Sequence, residues 1–111
     1  MARFRAGFSA GHMRLVRMPD GRFAGCVSIR PRQDSLWLEH FYLFPEYQGI
    51  GLGSEILNPL LSEADRKGHT VRLEVLKQSR AQRFYAKHGF VPTGAGEGDV
   101  YMERVANTAC Q

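Results

Sequence analysis

Gly49, Gly51 and Gly53 alternate along the chain between an aromatic-rich apolar run, residues 36–44, and an amphipathic pattern that follows at once. Glycine reaches positive φ and lets the main chain approach a ligand closely. A strand therefore turns sharply here and a helix begins. Ile56, Leu57, Leu60, Leu61 and Ala64 fall at helix spacing and make one apolar face, and Gly68 stands where such a helix would be capped. The first N–H groups of a helix lack internal acceptors, and with the helix dipole they form an anion site. The chemical reading is a cradle for phosphate or pyrophosphate; the plainer reading is a tight strand-to-helix turn. Two phosphate motifs do not fit. A P-loop ends in Gly-Lys-Ser/Thr, whereas Gly53 is followed by Ser54 and Glu55. The dinucleotide fingerprint G-x-G-x-x-G would want glycine where Ser54 stands.

The 111 residues have the size of one domain, and a single domain is expected over 1–111. Phe4 and Phe8, four apart, read as the last turns of a helix ending at Gly11, so that residues 1–11 are a helical remnant. Residues 12–18 alternate, Pro19-Asp20-Gly21 is a turn, and residues 23–29 are a second strand, which together make a hairpin. Residues 31–34 turn the chain into the run 36–44. That run is apolar on both faces except near Glu39 and His40, as a strand inside a sheet should be. Pro59 conflicts with the helix that follows, and a kink is expected there. Residues 71–76 read as a strand. Residues 79–88 read as a short helix with Ala81, Phe84 and Tyr85 inward, closed by Gly89. A strand starts at Phe90, residues 94–98 form a flexible loop, residues 100–102 form the last strand, and the tail from 106 is loose. The order β-β-β-α-β-α-β-β defines an α/β (α+β) fold, a mixed central sheet flanked by helices.

A net charge of +4 and a pI near 9.4 are mildly basic, with the charges spread along the chain. No basic stripe or groove-reading motif stands out, so nucleic acid is not the expected partner; a small polyanion suits the charge equally well. No apolar stretch approaches a membrane span, and none follows the basic start as a signal peptide requires. Cys26 lies in an apolar run and reads as core, and Cys110 is next to last, which fits a reduced cytoplasmic setting. His12, His69 and His88 have no metal-ligand spacing with the cysteines, so no metal is expected. Trp37 reads as packing or the rim of a site. Arg80, Arg83 and Lys87 share one helix, either as a solvated face or as phosphate contacts.

Two blocks together resemble the GNAT superfamily of N-acetyltransferases. Gln48-Gly49-Ile50-Gly51-Leu52-Gly53 is similar to that family's Q/R-x-x-G-x-G/A motif, and Leu38-Glu39-His40-Phe41-Tyr42-Leu43-Phe44-Pro45-Glu46-Tyr47 resembles the strand and turn before it. Arg80-Ala81-Gln82-Arg83-Phe84-Tyr85-Ala86-Lys87-His88-Gly89-Phe90 resembles its R-A-x-x-F-Y-x-x-x-G-F segment. The resemblance covers about residues 12–104, and residues 38–57 are also similar to the spermidine/spermine acetyltransferases. Family members commonly carry a strand and two helices before the first hairpin strand, of which at most the end of the second helix is expected here. Gln78 stands where the family often has Asn.

The resemblance implies acetyl-CoA as co-substrate and a small-molecule or peptide amine as acceptor. The coenzyme diphosphate would meet the backbone from Gln48 through Gly49, Ile50, Gly51, Leu52 and Gly53 to Ser54. The pantetheine arm would lie along Phe41 and Leu43, with Gln78 nearby. Tyr85 would be the acid at the departing sulfur and a coenzyme contact, and Glu39 the base that takes the amine proton; from the residues alone Tyr85 also reads as core, and Glu39 as a carboxylate paired with a nearby arginine or facing solvent. His40 points to the opposite face of the strand from Glu39 and is the weaker choice. Two alternatives stay open: an acyl-CoA-binding module of the same fold without turnover, and a homodimer whose second copy completes the acceptor wall.

Overall fold

The structure, a computed structural model, describes residues 5–10, 13–33 and 35–106. Gly11, His12, Asp34 and the tail beyond Ala106, with Cys110, lie outside the described residues, as does Phe4. Among the described residues nine regular elements follow one another: β1 (Arg5–Ala10), β2 (Met13–Arg17), β3 (Phe23–Arg32), β4 (Ser35–Leu43), α1 (Leu52–Lys67), β5 (Thr70–Leu76), α2 (Arg80–Lys87), β6 (Val91–Ala95) and β7 (Asp99–Arg104). A single 3-10 turn, Pro45–Tyr47, separates β4 from the glycine loop. The chain divides into two compact units, one of Met1–Arg30 with Leu38–Glu63, the other of Pro31–Trp37 with Ala64–Gln111.

In the first unit hydrogen bonding runs β1-β2-β3-β4. The Pro19-Asp20-Gly21 turn forms as expected. Gly21 takes φ +93 and donates its N–H to the Met18 carbonyl, and Asp20 Oδ1 accepts from the Arg22 N–H at 3.0 Å. Arg17 closes the hairpin from the other strand, its guanidinium 4.1 Å from the centre of the Phe23 ring. Arg5–Ala10 is a strand paired antiparallel with β2, not the helical remnant that the phenylalanine spacing suggested. A separation of four satisfies a period of two as well as one of 3.6, and the open edge of β2 decided between them. Val16, Ala24, Val27, Leu38, Leu52, Ile56, Leu57 and Leu61 form this unit's buried core. Gly25 sits in it because the backbone of β4 leaves no room for a side chain: a Cβ there would fall 1.8 Å from the Tyr42 carbonyl oxygen.

In the second unit the order is β4-β5-β7-β6, mixed in direction. Ser35 to Trp37 of β4 run parallel to Thr70 to Arg72 of β5, β5 and β7 are antiparallel, and so are β7 and β6. Val71, Leu73, Phe90, Val100 and Met102 are buried in this unit. The loop expected at residues 94–98 is shorter: Gly94 and Ala95 pair with Tyr101 and Val100 as the end of β6. Glycine is a poor strand former, but the ladder of β7 offers hydrogen bonds that a loop would lack.

Both helices end by the same device. Gly68 and Gly89 take φ +75 and +94. At α1 the N–H groups of Gly68 and His69 return to Asp65 and Ala64, and at α2 those of Gly89 and Phe90 return to Ala86 and Tyr85. These are Schellman pairs, and they satisfy carbonyls that the helices would otherwise leave open. Pro59 lies inside α1 on its exposed side, and the helix continues through it to Lys67. In α2, Tyr85 is buried and Phe84 half-buried, but Ala81 is exposed rather than inward, because it lies in the first turn beyond the covered part of the helix.

Candidate active site

β4 delivers the chain to the glycine loop, and three hydrogen bonds fix the delivery. Tyr47 N–H donates to the Phe44 carbonyl at 2.9 Å, Gln48 N–H to the Pro45 carbonyl at 3.1 Å, and the Gln48 side chain reaches back from Nε2 to the Leu43 carbonyl at 2.7 Å. Gln48 is thus a strut of the loop, through its side chain and through its own N–H. Gly49 and Gly51 take φ +76 and +85, values that a side chain resists. Gly53 is already in the first turn of α1, which begins at Leu52. Leu52 is buried and anchors the helix start, whereas Ile50 at the loop tip is 46% exposed. Two left-handed glycines therefore bring the backbone of residues 49–54 round to the N-terminus of a 16-residue helix. That arrangement presents N–H groups and the positive end of the dipole to an anion.

The other predicted residues of this unit lie on β4. Phe41 and Leu43 are half-buried, and Glu39 is exposed and ion-paired, its Oε1 accepting from Arg30 Nε at 3.1 Å. The β4–β5 ladder ends at Trp37 and Arg72, so the strand carries these residues past its pairing with β5.

Gln78 and Tyr85 belong to the second unit. Gln78 is exposed at the turn into α2 with φ +58, and its N–H donates to the Gln82 side chain. Left-handed backbone favours asparagine among non-glycine residues, which gives a backbone reason for the Asn that the family often places here. Ser79 then caps α2, its Oγ accepting from the Gln82 N–H at 3.1 Å. Tyr85 is 8% exposed and packs edge-on against Phe84 and Phe90. Burial pushes its hydroxyl up to about 12, so Tyr85 stays a neutral hydrogen-bond donor throughout the neutral range. Elsewhere in this unit the Glu74 carboxyl is raised above its usual range by a hydrogen bond with the Asp99 side chain, with burial and the Asp99 charge adding to it.

Sequence reasoning missed Gly25, Arg30, Asp65 and Arg104. Gly25 did carry a signal, since a glycine inside an apolar strand marks close backbone approach. The other three act through partners remote in sequence. Among the described residues no helix is long and apolar enough to cross a membrane, and no group of three His, Cys, Asp or Glu residues could hold a metal.

Known structures share this architecture. The PaiA N-acetyltransferase of Thermoplasma acidophilum, determined in complex with coenzyme A, superposes with a TM-score of 0.73 at 25% identity over 84% of this chain and 59% of its own. Ard1 of Thermoplasma volcanium gives 0.73 at 22% identity over 86% of this chain and 71% of its own. The fold is that of the GNAT acyl-CoA N-acyltransferases. The family model for the acetyltransferase (GNAT) domain matches residues 2–99. An uncharacterized N-acetyltransferase of Mycobacterium tuberculosis strain H37Rv is 40% identical over 83 residues, 72% of this chain and 53% of that protein, and its Mycobacterium bovis counterpart matches equally. The chain belongs to the GNAT acetyltransferase family. It spans about half the length of the curated relatives it matches.

Proposed function

We propose that the chain transfers the acetyl group of acetyl-CoA to a primary amine, of a small molecule or a peptide, by direct attack. The observation that carries this reading is the loop of Gly49 and Gly51, both at positive φ and opening α1, within a match to an acetyltransferase domain. The backbone from Gln48 to Ser54 binds the coenzyme diphosphate. Phe41 and Leu43 flank the pantetheine arm, whose amides add to exposed strand groups as an extra strand would.

The amine must be neutral to attack the thioester carbonyl, so a proton has to leave it. Glu39 takes that proton, directly or through water, and Arg30 holds its carboxylate in place. As the carbon–sulfur bond breaks, the Tyr85 hydroxyl donates a hydrogen bond to the departing thiolate. That hydrogen bond stabilises the leaving thiolate, and Tyr85 is the proposed acid at the sulfur.

Thermal unfolding with and without acetyl-CoA tests the binding half of this reading. Ligand at 100 times Kd adds about 2.7 kcal/mol and raises Tm by several degrees. Dephospho-CoA and NAD serve as controls, and an absent shift at millimolar acetyl-CoA overturns the reading. Once thiol release identifies an accepted amine, Glu39→Gln is expected to lower kcat roughly hundredfold. An unchanged kcat assigns the base elsewhere.

A further inference from the structure

Arg104 joins three elements of the second unit. It leaves the end of β7, and its Nη1 and Nη2 grip both carboxylate oxygens of Asp65 near the end of α1, at 2.7 and 2.9 Å. Its Nε donates to the carbonyl of His88, the C-cap of α2, at 3.1 Å. The two side chains are 16% and 22% exposed, so the pair is shielded from water. Side-chain atoms of Arg104 also pack on Gly89, where a Cβ would come within 3.4 Å of Nε. A planar guanidinium with fixed donors transmits position in a way that a single ammonium cannot.

What it positions follows from α2 itself. The helix has eight residues, and its placement depends on its two ends. The first end is fixed by Ser79. At the other, the Tyr85 carbonyl accepts from both His88 N–H at 2.9 Å and Phe90 N–H at 3.2 Å, so Tyr85 is part of the very turn that Arg104 holds.

From this geometry we infer that the Asp65–Arg104 pair is a positioning device for Tyr85, setting where its hydroxyl meets the coenzyme sulfur. The inference rests on the role given to Tyr85 above. Arg104 touches no reacting atom; it acts through the C-terminal turn of α2. A displacement of about 1 Å at a reacting group is enough to cost on the order of a hundredfold in rate.

The test uses bound coenzyme A and needs no acceptor. A hydrogen bond from Tyr85 favours the thiolate and lowers the pKa of the bound thiol. That pKa is read from thiolate absorbance as a difference between the CoA and desulfo-CoA complexes, which cancels the protein's own cysteines. Tyr85→Phe should raise it. Arg104→Lys, which keeps the charge and loses the fork, and Asp65→Asn, which weakens the grip more gently, should each raise it by at least about half the Tyr85→Phe shift, with Kd for coenzyme A changed by less than about threefold. In the Tyr85→Phe background neither should add a further shift. A lower melting temperature with a wild-type thiol titration overturns the inference and leaves the pair merely structural. A Tyr85→Phe titration equal to wild type overturns the role of Tyr85 instead, and failure to bind coenzyme A overturns the proposed function itself.

Discussion

Replacing Gly25 with alanine is expected to destabilise the fold by about 3 kcal/mol or more, among the largest single-residue effects in the chain. The added Cβ would lie 1.8 Å from the Tyr42 carbonyl oxygen, 2.8 Å from its carbonyl carbon and 2.9 Å from Leu43 Cα. All three are backbone atoms, so no side-chain rotation relieves the overlap; β3 and β4 must part. The Ala24 carbonyl accepts the Phe44 N–H at 2.8 Å beside the contact, and that bond is strained with it. The displacement reaches the glycine loop, because Gln48 is tied to the Leu43 carbonyl. Denaturant unfolding should show a lower midpoint, and the residual folded protein should bind acetyl-CoA more weakly than wild type. By contrast Gly21→Ala meets no atom within 4 Å and strains only its own φ of +93, at roughly 1 kcal/mol. Equal destabilisation by the two substitutions would refute the packing account.

Tyr85→Phe is expected to lower kcat about a hundredfold or more while leaving the affinity for acetyl-CoA nearly unchanged. The ring stays among Phe84 and Phe90, so only the hydroxyl is lost. Equal loss of binding and turnover, or loss of neither, would remove Tyr85 from the mechanism. A second consequence concerns stability. The folded protein holds the Tyr85 proton up to about 12, against 10.0 for an ordinary phenol. The unfolded chain therefore loses that proton first as pH rises. The contribution of the buried neutral phenol is fully present below pH 10 and fades between pH 10 and 12, by roughly 2–3 kcal/mol in total. Wild type should lose stability over that window more steeply than Tyr85→Phe, and parallel curves would show that the hydroxyl is not buried as described.

Much of this fold was legible because its signals are local. The turn at Pro19-Asp20-Gly21, the end of β4 at Pro45, the apolar face of α1 and the glycines that close both helices each follow from a few neighbouring residues. The glycine loop belongs with them: Gly49 and Gly51 take the positive φ that their spacing implied. That Tyr85 faces inward was legible from its spacing on the short helix, and the role proposed for it rests on the motif around it. Tertiary structure decided the rest. Arg5–Ala10 became a strand because β2 offered an edge, and Gly94 and Ala95 joined β6 because β7 offered a ladder. Glu39 met Arg30, nine residues earlier on the adjoining strand, and Asp65 met Arg104 across 39 residues. Periodicity and propensity describe a residue among its neighbours in the chain. Which carboxylate a guanidinium finds, and which backbone passes over a glycine, depends on strand register and on where the chain returns.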